Sequence, residues 1–221
     1  MKASKKIILL LLIGLLFFIT TGCSDKKPVN YQRGVYMLLD TSGTYTQELR
    51  KAQIIINYIL ANLNPGDTFA VARIDSGSFS EKDIIQKVTF DGRPSVSNNQ
   101  KRAFAQKVDE FVKTVQSSPY TDISGGLMQG VEYLNETGAG KKTILIFSDL
   151  KEDLMKGHVR DFPIPLSGFD VVALNVTKLR GDQVDPREYM NRKDYWQTKV
   201  MENGGYWRVI NDLERLDDVL N

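Results

Sequence analysis

The 221-residue sequence holds one cysteine, Cys23, and one histidine, His158. A single thiol allows no internal disulfide, and one histidine with one cysteine cannot supply the usual zinc ligand sets. No Walker-type glycine loop, no nucleophile elbow and no Cys–His or Ser–His arrangement is legible. Internal repeats and extended low-complexity segments are also missing. Charge of one sign is scarce, since 29 Lys and Arg face 27 Asp and Glu, a formal net charge of +2. Lys2, Lys5 and Lys6 lie before residue 23 with no acid beside them, so the remainder carries −1. The basicity therefore belongs to the first residues and gives no support for nucleic-acid binding.

Those first residues do hold the one long apolar run. Residues 7–19 are interrupted only by Gly14. The run is shorter than the roughly 20 residues that a membrane span needs, and it has the length and basic flank of a signal-peptide core. Thr20-Thr21-Gly22-Cys23 follows and resembles the lipobox of bacterial lipoproteins, departing from it at Thr20, where such boxes carry a larger aliphatic residue. The reading is a lipoprotein signal peptide over 1–22, lipid modification of Cys23, a tether over 23–30 and one domain over 31–221. An uncleaved signal anchor with an incidental cysteine is the alternative. Ser24 is not the aspartate that retains lipoproteins in an inner membrane, so an outer membrane is open where one exists. The expected location is the cell membrane, lipid-anchored and outside the cytoplasm. Roughly 199 residues remain, enough for a single well-packed core.

Strand-like and helix-like segments alternate through that remainder. Short apolar runs predict strands at 34–39, 68–74, 84–90, 143–147, 170–176 and 206–210, and helical spacing predicts helices over 47–63, 98–115, 123–134, 186–202 and 213–220. Asn64-Pro65-Gly66-Asp67 and Asp91-Gly92-Arg93-Pro94 are turn signals. Residues 151–169 and 177–186 read as loops longer than a minimal connection. Near-continuous apolar strands imply burial on both faces, as in a mostly parallel α/β sheet covered by helices.

Hydroxyl and carboxylate groups gather at three places in this pattern. Asp40-Thr41-Ser42-Gly43-Thr44 begins where the first strand ends, and alternation presents Asp40, Ser42 and Thr44 on one side. Ser148-Asp149 follows the strand at 143–147. If the two strands are parallel neighbours, Asp40 and Asp149 emerge together at their carboxyl ends, where open α/β sheets bind ligands. Thr121 lies between them in sequence, just before a helix. Oxygen donors without histidine or cysteine suit a hard ion, Mg²⁺ first and Mn²⁺ or Ca²⁺ as alternatives. Two carboxylates and three hydroxyls leave coordination positions open to a carboxylate from another molecule.

Asp40-x-Ser42-x-Thr44, Thr121 and Asp149, in this order, resemble the metal-ion-dependent adhesion site of von Willebrand factor type A domains. Thr44 stands where that family's motif has a serine and keeps the hydroxyl. The resemblance covers roughly residues 30–221. It implies a doubly wound, mostly parallel six-stranded sheet with helices on both faces and one antiparallel edge strand, for which the turn at 75–80 leading into 84–90 is the source. It implies Ser42, Thr44 and Thr121 as hydroxyl ligands and Asp40 and Asp149 as carboxylates, one or both of them acting largely through water. Asp122 and Ser124, beside Thr121, are expected to orient the site from behind the ligands.

Each motif also has a plain structural reading. Thr44-x-x-Gln47 fits a capping box, Asp149-x-x-Glu152 a helix cap and Thr121 an N-cap. His158 reads as a surface residue, Arg180-Gly181-Asp182 as a turn, and Trp196, Trp207, Tyr189, Tyr195 and Tyr206 as anchors for the last helical layer. The function expected is a metal-dependent module, not an enzyme, that binds a protein partner through an Asp or Glu side chain. One alternative is a phosphatase or phosphotransferase of the haloacid dehalogenase type with Asp40 as nucleophile, although Ser42 stands where its second aspartate belongs. A purely structural lipoprotein is the other.

Overall fold

A computed structural model describes residues 30–43, 45–75, 77, 80–212 and 217–220. The expected signal peptide, Cys23, most of the tether, Thr44 and the start of the closing helix lie outside the described residues. The elements are β1 (Arg33–Asp40), a 3-10 turn (Tyr45–Glu48) running into α1 (Leu49–Asn62), β2 (Thr68–Ile74), β3 (Ile84–Thr89), α2 (Pro94–Thr114), α3 (Ile123–Glu136), β4 (Lys141–Phe147), β5 (Phe169–Leu174), α4 (Arg187–Glu202), β6 (Tyr206–Ile210) and α5 (Asp217–Leu220). Strand order is β3-β2-β1-β4-β5-β6. Every pairing is parallel except β2 with β3. The chain is thus a six-stranded, doubly wound α/β sheet with one antiparallel edge strand, as the motifs implied.

Alternation along the strands builds two apolar layers. Val35, Met37 and Leu39 of β1 join Phe69, Val71, Leu145 and Phe147 against α1 and α2. Tyr36 and Leu38 join Ala70, Ala72, Ile144 and Ile146 against α3 and α4. α3 lies close to the sheet because Gly126 and Gly130 face it. A Cβ on Gly126 would stand 2.6 Å from Ile74 Cγ2, and one on Gly130 2.9 Å from Tyr36 Cδ1.

Strands β2 and β6 match the sequence expectation residue for residue. Helix α2 starts four residues ahead of it, at Pro94. Proline pre-sets the helical φ at the first position, but the first turn carries no apolar period that would reveal it. The loop over 177–186 contains a 3-10 turn at Gly181–Gln183. Among the described residues, no helix is long and apolar enough to cross a membrane.

The winding places a crevice between β1 and β4. From β1 the chain moves to β2 on one side, and from β4 to β5 on the other, and the connection from α2 to α3 passes this end of the sheet, where Ser118 and Thr121 meet the loops that follow β1 and β4. The opposite end is where the described chain begins. Asn30 Nδ2 donates to Gly138 O at 2.6 Å, and Gly140 N donates to Gln32 O at 3.0 Å. Only glycine fits at 140, since a Cβ there would lie 1.6 Å from Asn30 O.

Candidate metal centre

Asp40 is the last residue of β1, and the pairing of Leu39 with Phe147 brings it beside Ser148. It is completely buried. Its Oδ2 accepts a 2.5 Å hydrogen bond from Ser148 Oγ, and its Oδ1 accepts from Ser42 N at 2.8 Å and Thr121 Oγ1 at 3.4 Å. Residues from all three loops therefore meet at one carboxylate. Asp149, next to Ser148, is 5% exposed. Its Oδ1 accepts from Lys151 N at 2.8 Å, and its Oδ2 accepts from no other described residue. Leu150 follows with φ 68°, a left-handed conformation that costs a non-glycine residue about 1–2 kcal/mol. Two hydrogen bonds hold it there, from Leu150 N to Ser148 Oγ at 3.0 Å and from the indole of buried Trp196 to Leu150 O at 3.0 Å. The sharp turn fixes where the Asp149 carboxylate sits.

Backbone hydrogen bonds stitch the loops together. Ser118 N donates to Thr41 O at 2.8 Å and Gly43 N to Ser118 O at 3.3 Å; Thr121 and Asp153 exchange bonds of 2.8 and 2.9 Å. Thr121 is held from its other side by the start of α3. There Asp122 is the N-cap, accepting from Gly125 N at 2.8 Å, and its carboxylate is gripped by the Arg160 guanidinium at 2.5–3.1 Å.

Ser42, Thr121 and Asp149 line one cleft of about 570 Å³ together with Tyr45, Glu48 and Lys151. Burial pushes the Asp149 carboxyl up to about 6, and the nearby Asp40 charge adds to the rise while Lys151 N, Arg192 and Lys151 oppose it. Burial likewise raises Asp40, against the hydrogen bonds from Ser148, Ser42 and Thr121. Asp149 lines the cleft and Asp40 lies buried close behind it, and two buried carboxylates so placed are a costly arrangement. A divalent ion removes that cost, and the flanking hydroxyls are hard donors suited to it. The residues present therefore fit a Mg²⁺-type ion. The donor set rests on hydroxyls: among the described residues, no group of three or more His, Cys, Asp or Glu is placed to hold a metal.

Four of the five expected ligands, Asp40, Ser42, Thr121 and Asp149, thus come together, while Thr44 lies outside the described residues. Asp122 and Ser124 direct their bonds elsewhere. Ser124 N and Oγ donate to Glu152 at 2.7 and 3.2 Å, and Lys199 Nζ donates to Ser124 Oγ at 2.6 Å. The helix N-cap is Asp122 and not Thr121, and no helix follows Asp149. His158 is exposed. Asp182 is buried and held by both Arg192 amino groups at 2.7 Å, so the Arg180-Gly181-Asp182 turn does not present its carboxylate. Two contributors escaped the sequence reading. Ser148 was legible only as a neighbour of Asp149. Arg192, whose Nε donates to Asp149 O at 3.2 Å, lies 43 residues away and carries no local signal.

No family model matches the chain. It is 25% identical over 114 residues to inter-alpha-trypsin inhibitor heavy chain H1 of Mesocricetus auratus, a stretch that covers 51% of this chain and 11% of that protein. Among solved structures it is similar to a von Willebrand factor type A protein from Catenulispora acidiphila, with a TM-score of 0.52 and 14% identity over 86% of this chain and 41% of the other. It is also similar to the pilus adhesin SpaC of Lactobacillus rhamnosus GG in its open conformation, with a TM-score of 0.54 and 14% identity over 88% of this chain and 30% of the other. The chain spans less than half the length of each of these proteins. Strand order, the single antiparallel edge and these likenesses lead to one conclusion: the chain has the fold of a von Willebrand factor type A domain.

Proposed function

We propose that the chain is a metal-dependent protein-binding module, held at the outer face of a cell envelope by a lipid on Cys23. In this reading Ser42, Thr44 and Thr121 hold a Mg²⁺, Mn²⁺ or Ca²⁺ ion with Asp40 and Asp149 behind them. The ion supplies an electrophilic position for a partner's Asp or Glu carboxylate. The observation that carries the proposal is the convergence of Asp40, Ser42, Thr121 and Asp149 at the carboxyl ends of two adjacent central strands. A binding role fits better than catalysis. Asp40 is fully buried and both its oxygens accept hydrogen bonds, so it is not presented as a nucleophile. The adhesin likeness is in keeping with this reading.

The test is calorimetric titration of the metal-free chain with Mg²⁺ and Mn²⁺, followed by affinity capture from envelope extracts with and without chelator. Uptake of one ion, lost in Asp149→Asn and weakened in Thr121→Ala, is expected, with a captured partner that chelator releases. No uptake by a folded chain overturns the metal reading. Capture indifferent to chelator overturns the docking role.

A further inference from the structure

The wall of the cleft carries more charge than an ion site needs. Lys151, from the loop after β4, and Lys178 and Arg180, from the loop after β5, line it together with Ser42, Thr121 and Asp149. All three are exposed, and none forms an ion pair with a described residue, in contrast to Arg160 and Arg192 nearby. The acids of the same cleft are mostly accounted for. Glu48 is paired with Lys51 at 2.6 Å and accepts from Asn175 at 3.0 Å, and Asp149 faces the ion position, which leaves Asp153. Lys178 shares the Tyr189 ring with Lys193, at 5.9 and 5.0 Å, so a further positive charge stands beside that side of the cleft. Gly43 and Pro119, which also line the cleft, are uncharged.

We propose that the partner enters this cleft with an acidic peptide segment, not with a lone acidic side chain. One carboxylate docks at the ion, and further carboxylates of the same segment meet Lys151, Lys178 and Arg180. The inference rests on the metal reading above and deepens it. A carboxylate is the group that links the two halves of the cleft, because it both ligates a hard ion and pairs with ammonium and guanidinium groups. Exposed ion pairs are each worth about a two- to five-fold factor in affinity and are screened by salt. Three of them together give roughly ten- to a hundred-fold at low ionic strength.

The test uses the purified full chain, saturated with Mn²⁺, and three probes: a glycine-serine heptapeptide with one glutamate, the same peptide with four, and a sulfated heparin oligosaccharide. Mn²⁺ uptake is measured first, so that failure of the metal reading is distinguished from failure of this one. The expected result is binding of the four-glutamate peptide at least ten-fold tighter than the single-glutamate peptide, lost on chelation and flattened by 1 M salt. In Lys151→Ala/Lys178→Ala/Arg180→Ala the preference disappears while Mn²⁺ uptake persists. Equal affinity for the two peptides, or binding of neither by the Mn²⁺-loaded chain, overturns the proposal. So does four-glutamate binding that survives chelation, or a preference for the oligosaccharide over both peptides.

Discussion

Two buried aspartates stand at the same end of the sheet and are treated in opposite ways. Asp182, in the loop after β5, is gripped by the Arg192 fork at 2.7 Å and accepts from Leu179 N at 2.7 Å. The Arg192 hydrogen bonds hold its carboxyl below the usual range. Asp149, one strand away, has a single backbone donor and a carboxyl pushed up to about 6 by burial. The first is a satisfied structural charge. The second is a buried carboxyl with one backbone donor and no paired cation among the described residues, an arrangement that costs stability when it is charged. Arg192 touches both, through the Asp182 carboxylate and the Asp149 carbonyl.

That contrast can be broken at several points. The largest effect is expected from Arg192→Ala, which leaves Asp182 buried and unpaired. A loss of about 3 kcal/mol is expected, read as a lower urea midpoint with or without Mg²⁺. Asp149→Asn works in the other direction. Because the folded carboxyl is raised, its favourable contribution is complete below the unfolded value near 4 and is lost as pH rises through about 6. The amide should therefore stabilise the metal-free chain at pH 7.5 by on the order of 2 kcal/mol, give no gain at pH 4, and abolish the Mg²⁺-induced rise in Tm. Asp182, with its lowered carboxyl, supplies the opposite slope, stability present above the unfolded value and lost on acidification. Wild-type urea midpoints from pH 2 to 7, compared with Asp149→Asn, separate the two, because the Asp149 contribution changes between about 4 and 6 and that of Asp182 only below about 4.

Smaller changes sharpen the picture at the ion. Ser42→Ala and Thr121→Ala should each weaken Mg²⁺ uptake by about ten-fold, or roughly 1.4 kcal/mol, with Thr121→Ser close to wild type by calorimetry. Mg²⁺ affinity itself should fall as pH drops below about 6, where Asp149 takes up its proton. An unchanged affinity from pH 7.5 to 5 would remove Asp149 from the ion's surroundings.

The parts of this molecule that were legible in sequence share a physical property, locality. β2 and β6 show as short runs of strand formers bounded by turn residues, and their limits come out as expected. Asp40 and Asp149 are visible because each stands where an apolar strand run gives way to polar residues. Pairings between distant residues were not legible. The Asp122 grip by Arg160 spans 38 residues, and the Asp182–Arg192 fork joins a loop to a helix face. Each arginine reads in sequence as an ordinary solvated charge. Residues 151–168 form no helix or strand, so no period exposes which of their side chains turn inward, as Ile164 and Leu166 do.

The placement of Asn30 has a mechanical consequence. β1 runs from that end of the sheet to Asp40, across eight residues, and pairs in parallel on both edges with β2 and β4. A partner held at the cleft and an attachment behind Asn30 would pull on the two ends of the same strand. Such tension acts along β1, so its hydrogen bonds to both neighbours are sheared together and are not peeled one at a time. The strand that carries Asp40 is thereby also the one best placed to bear load.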